Sequence, residues 1–159
     1  MKMNLLEAKR IILEHENKIT KNKIIGKKYY LHKIIDDIKN QTEPEKENFF
    51  LLCTSIDNKV LYLDSLADYD WSEEKKLVRE IMTIALSYPT HNITLFHNHP
   101  KYVSEPTRND VYLYYNLQPV LSCIEINFVD SYVIGADGVT SVRSKNRVID
   151  FSYKKKRKK

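Results

Sequence analysis

No apolar run in this sequence approaches the ~18 residues that a membrane-spanning helix requires, so a helical membrane protein is not expected. The opening residues, Met1-Lys2-Met3-Asn4-Leu5-Leu6-Glu7, put an acid where a secretory signal needs an apolar stretch, and the expected compartment is the cytoplasm. Cysteine is scarce. Cys53 and Cys123 lie far apart in apolar, strand-like runs, which predicts two buried, reduced thiols in place of a disulfide. No third group nearby would orient a base for a cysteine nucleophile, which argues against that chemistry. Internal repeats are also missing.

Nor is there an excess of one charge once the C-terminus is set aside. The formal charge is +5, but Lys154-Lys155-Lys156-Arg157-Lys158-Lys159 alone contribute six positive charges, leaving the remainder close to neutral. Such a run reads first as a solvated tail; it can also hold nucleic acid or another polyanion through salt-sensitive, sequence-independent contacts. What is present is ordinary for a globular domain. A hydrophobic fraction of 42% against 30% charged residues is too apolar for a disordered chain. A chain of this length removes about 68–70% of its unfolded surface from water, enough for one core.

Apolar positions Leu5, Ala8, Ile12 and Ile19 predict a helix over 4–19, followed by a Lys-rich linker over 20–28. Tyr30, Ile34, Ile35 and Ile38 predict a second helix over 29–40. The runs 49–56 and 60–66, separated by Asp57-Asn58-Lys59, read as a β-hairpin. Asp70-Trp71-Ser72-Glu73 resembles a capped helix start, and Leu77, Ile81, Ile84 and Ala85 continue one stripe until Pro89. A buried strand over 93–96 leads into His97, and a helix begins near Thr107, with Pro119 expected to end or kink it. Strands are expected at 122–129 and 131–135, with Gly135-Ala136-Asp137-Gly138 turning the chain into 139–142. This order indicates an α/β domain with a mixed β-sheet flanked by helices.

His97 and His99 stand two residues apart at the end of a strand, so both imidazoles can face one ion. Zinc takes a tetrahedral set of nitrogen, sulfur or oxygen donors, and Asp110, eleven residues beyond His99 at a helix start, would add a carboxylate. Spacing alone leaves a second reading equally open, in which Thr107-Arg108-Asn109-Asp110 is a capping box with an acid in place of the usual Glu. His15, His32 and His91 read as surface or capping residues. Tyr114-Tyr115 reads as core and cleft wall, not as a base-stacking platform.

His97-Asn98-His99-Pro100, six residues, then Thr107-Arg108-Asn109-Asp110 resembles the JAB/MPN metal signature, and Asn98-His99-Pro100 is the wording of its RadC branch. Glu47-Asn48-Phe49-Phe50-Leu51-Leu52 is similar to the strand that opens a RadC domain, and Ser55 to Leu61 to its hairpin. Ile124 to Asp130 and Ile134 to Val142 look like its closing strands. The resemblance implies a JAB/MPN-like (cytidine-deaminase-like) single domain over residues 29–145. Residues 1–28 then form a helical extension and linker, and 146–159 a basic tail.

The resemblance further implies that His97, His99 and Asp110 hold Zn²⁺ and leave a fourth position to water. In the peptidase members an upstream glutamate takes a proton from that water, and the motif serine helps the oxyanion. Those two catalytic positions fall here on Asp64 and Thr107. Thr107 keeps the hydroxyl. Asp64 keeps a carboxylate but is a methylene shorter, and a misplacement of ~1 Å can cost on the order of 100-fold; an exposed strand or turn carboxylate is the other reading of it. Lys101-Tyr102-Val103 also replaces a smaller, more acidic stretch. The implied activity is hydrolysis of a peptide or isopeptide bond in a protein or peptide substrate. The alternative implied is a catalytically weak module that binds protein or nucleic acid, with a DNA-repair or mobile-element association.

Overall fold

The computed structural model describes residues 26, 30–42, 47–66, 73–99 and 103–151. The helix expected at 4–19, most of the linker after it, and the run Lys154–Lys159 lie outside these residues. So does the expected cap at Asp70-Trp71-Ser72.

Among the described residues, six strands and three α-helices follow one another along the chain. Helix α1 (Leu31–Gln41) precedes a hairpin of β1 (Phe49–Thr54) and β2 (Val60–Ser65). Helix α2 (Glu74–Leu86), strand β3 (Asn92–Asn98) and helix α3 (Arg108–Ser122) follow. The chain then runs through β4 (Asn127–Ile134), β5 (Gly138–Ser141) and β6 (Arg147–Asp150). One sheet results, in the order β2-β1-β3-β4-β5-β6. Only β3 and β4 run parallel, joined through α3, and antiparallel pairs extend the sheet on both sides. The domain is therefore α/β with a mixed sheet, as the sequence indicates.

Alternation along the strands divides the core in two. On one face Leu51, Tyr62, Ile93 and Leu95 pack with Leu77 and Ile81 of α2 and Leu113 and Leu117 of α3. On the other, Phe50, Leu52, Leu63 and Phe96 pack with Ile34, Ile35 and Ile38 of α1. Each such aliphatic side chain, fully buried, contributes about 1.5–3 kcal/mol.

The expectation of two strands at 122–129 and 131–135 is corrected. Helix α3 continues to Ser122, three residues beyond Pro119, and a single strand begins at Asn127. Glu125, at φ 58°, and the bond from Ile126 N–H to Leu121 O (3.0 Å) close the helix end, so Leu121 and Ile126 are buried without a strand. Asp130 does not interrupt β4. Ile93 pairs with Phe128 but Thr94 with Asp130, so Val129 is the extra residue of a bulge. The Asp130 carboxylate accepts from Ser131 N–H (2.7 Å), Arg143 N–H (3.1 Å) and the Ser141 hydroxyl.

Cys53 is buried as expected, and burial pushes its thiol up to about 12. Cys123 is exposed, contrary to expectation, because it caps α3 and is not part of a strand. The sheet also extends past residue 145 into β6, after which Phe151 lies under the Lys39 ammonium at 3.9 Å. No helix among the described residues is long and apolar enough to cross a membrane.

Candidate metal centre

The centre forms where β3 ends and α3 begins. His97 is the penultimate residue of β3 and His99 follows it; both are buried, at 3% and 5% exposure, with ring centroids 4.8 Å apart. Phe49, the register partner of His97 on β1, stacks on its ring at 4.3 Å. His99 N–H donates to Ile134 O (2.7 Å), which holds the second imidazole against the end of the parallel pair.

Asp110 reaches both rings. Its Oδ1 lies 3.0 Å from His97 Nδ1 and its Oδ2 3.4 Å from His99 Nε2. The same residue completes the capping box of α3: Thr107 N–H donates to Asp110 Oδ2 (2.8 Å), and Asp110 N–H donates to the Thr107 hydroxyl (3.2 Å). The cap is formed, and the same carboxylate lies within 3.4 Å of both imidazoles. The box fixes the carboxylate in the first turn, where the helix dipole also favours an anion.

A fourth group joins them that reasoning from sequence did not assign a role. Glu47 lies just before β1, and its Oε2 is 3.6 Å from His97 Nε2. Ligand atoms of Glu47, His97 and His99 all lie within 4.8 Å of one another. The segment is tied down next door, where Asn48 N–H donates to Asn98 Oδ1 (2.6 Å). The signal available in the sequence was the similarity of Glu47 to Leu52 to a RadC opening strand, but the contact depends on the pairing Phe49↔His97.

Asp64 is buried, at 2% exposure, not an exposed strand carboxylate. It sits on β2 opposite Leu51 and accepts from Ser65 N–H (2.7 Å). Strand β1 lies between it and β3. Thr107 stands as the cap of α3 and lines a cavity of about 430 Å³ together with Glu47, His99 and Val103. His32 and His91 are exposed, as expected, and His15 lies outside the described residues. Tyr114 is core, against Phe128 at 5.1 Å, whereas Tyr115 is 58% exposed and walls no core.

The electrostatics favour positive charge between the rings and the carboxylates. Burial would raise the Asp110 carboxyl, but hydrogen bonds from His97, His99 and Thr107 outweigh it and hold Asp110 well below the usual carboxylate range. Burial would lower His99; the Asp110 carboxylate outweighs it and raises His99 above its ordinary value. The Val103 carbonyl, 3.3 Å from His99 Nδ1, can only accept, so a neutral His99 carries its proton on Nδ1. Its Nε2 lone pair then faces a carboxylate oxygen. His97 likewise presents each ring nitrogen to a carboxylate. Lone pairs opposed in this way need a proton or a metal cation between them. Two imidazoles with flanking carboxylates are also a donor set that suits zinc, so the residues present fit that ion.

A histidine pair at the end of a central strand, answered by an acid in the first turn of the next helix, defines a JAB/MPN-type domain. The chain belongs to the RadC-like JAB domain family, which it matches over residues 25–147. It is similar to UPF0758 proteins of Aeromonas hydrophila (34% identical over 95 residues, 60% of this chain and 42% of that protein) and Leptothrix cholodnii (28% over 97 residues, 61% and 44%). A UPF0758 protein of Vibrio cholerae is 27% identical over 114 residues, 72% of this chain and 48% of that protein. The chain thus spans less than half the length of these relatives.

Proposed function

We propose that this domain is a zinc-dependent hydrolase of peptide or isopeptide bonds, with His97, His99 and Asp110 as the metal-holding residues. The observation that carries the reading is the buried imidazole pair between two carboxylates, at the mouth of a cavity. Bound there, zinc supplies Lewis acidity that polarises a carbonyl and acidifies water.

The chain's own residues supply the rest. The Val103 carbonyl orients the His99 imidazole by accepting from its Nδ1. Glu47, half-exposed beside His97, takes the proton of the attacking water and returns it to the leaving amine; its 3.6 Å approach to His97 gives it a stronger claim than Asp64. Thr107 accepts from Asp110 N–H and still has its hydroxyl proton to donate to a developing oxyanion. The basic run Lys154–Lys159 adds a salt-sensitive contact to polyanions.

The test is zinc-dependent cleavage of a panel of peptide and ubiquitin-like fusion substrates. Glu47→Gln should retain zinc and lose about 100-fold or more in rate. Loss in Asp64→Asn with full activity in Glu47→Gln moves the base to Asp64. Stoichiometric zinc with no cleavage across the panel leaves a binding module.

A further inference from the structure

Helices α2 and α3 cover one face of the sheet over β2, β1, β3 and β4, but the same face of β5 and β6 lacks a helix among the described residues. A cavity of about 750 Å³ lies there, with Thr140, Arg147 and Val148 along the strands and Val103 to Pro106 as its wall. Val103, Glu105 and Pro106 also line the 430 Å³ cavity that reaches His99, Glu47 and Thr107. The two cavities therefore meet across one loop, and both volumes fall in the ~300–1,000 Å³ range of ligand pockets.

That wall is built into place. Ser104 N–H donates to Asp137 Oδ1 (2.8 Å), the Ser104 and Thr140 hydroxyls lie 2.7 Å apart, and Gly135 packs against the Ser104 backbone. The charges along the trough decide what it suits. Arg147 is paired with Asp137 at 2.6 Å, and with Lys145, Glu105 and Asp150 also in the lining the trough has more carboxylates than cations. A phosphodiester backbone would meet no net positive charge here. Val103 and Val148, 57% and 44% exposed, give the trough apolar surface.

We infer that this trough is a substrate subsite, holding an extended peptide segment that flanks the scissile bond and rests an uncharged side chain on Val103 and Val148. The inference rests on the hydrolase reading for the word substrate, and for its place on the loop at Val103, Glu105 and Pro106 that lines both cavities. Length and sequence preference then arise at β5–β6, away from the imidazoles.

The experiment titrates zinc-loaded, isotope-labelled full chain with synthetic peptides of graded length, and separately with a single-stranded oligonucleotide, following the amide resonances of Thr140, Lys145 and Val148. Longer peptides should shift these resonances, and Val148→Arg should weaken that binding by roughly tenfold or more while zinc content and thermal unfolding stay unchanged. No peptide-induced shift at these residues, unchanged affinity in Val148→Arg, or shifts produced by the oligonucleotide in place of the peptides would each overturn the proposal. Peptide binding in the trough without cleavage keeps the subsite and removes the hydrolase. Cleavage without trough shifts does the reverse.

Discussion

The backbone nitrogen of Ser104 occupies the space that a Cβ at position 135 would need, so Gly135 is the residue that lets the loop beside the candidate metal centre close on the β4–β5 turn. Gly135→Ala must push that loop away. Overpacking against backbone costs about 1–3 kcal/mol, and we expect a lower Tm of that order. Because the loop carries the Val103 carbonyl to His99, zinc affinity should fall as well. Thermal unfolding and a competitive chelator titration measure the two effects; an unchanged Tm would show that the loop yields freely.

Asp110 caps α3 and, on the proposed reading, also holds zinc, and substitution can separate the two. Asp110→Ala removes an acceptor for Thr107 N–H and should destabilise the metal-free protein by about 0.5–2 kcal/mol. Asp110→Asn keeps an acceptor oxygen and should lose less. Both variants should lose zinc, with about one ion per wild-type chain as the reference. Urea denaturation in chelator gives the stabilities; full zinc in Asp110→Asn would dismiss the carboxylate as a ligand.

The two cysteines should react very differently. Cys123 is exposed, while Cys53 is buried with its thiol raised to about 12. A thiol reagent added to native protein should label Cys123 alone, Cys53 following only in denaturant. Mass spectrometry of digested, labelled protein reads this directly.

Asp137 predicts a dependence on acid. Burial would raise its carboxyl, but the Ser104 backbone and side chain, with Arg147, hold it below its ordinary value. A carboxyl depressed in the folded state stabilises above its unfolded pKa, and that contribution disappears as pH falls through the folded one. The stability difference between wild type and Asp137→Asn should therefore be full at neutral pH and shrink below about pH 4. Denaturation across that range checks it, and a difference that grows in acid would contradict it.

What the sequence made legible was local. His97, His99 and the Thr107–Asp110 box are close in the chain; strand geometry puts the two imidazoles on one side, while Asp110 stood open between cap and ligand until the resemblance to the JAB/MPN signature favoured the ligand. The mixed α/β order followed from periodicity for the same reason. Glu47 was not legible as a site residue because fifty positions separate it from His97, and only the β1–β3 register brings them together. At Asp130 a polar residue inside an apolar run reads as an end, whereas three donors and a bulge bury it within a strand. At Cys123 an apolar run of no clear period became a helix end and turn.

The pairing of Phe49 with His97 carries one more consequence. A fragment that keeps the histidine motif but lacks β1 retains both imidazoles and forfeits Glu47, and one ending before α3 forfeits Asp110. Neither has the full set. On the proposed zinc reading, zinc uptake would report the arrival of the crossover helix that brings Asp110, and cleavage would report in addition that the hairpin bringing Glu47 has docked on β3.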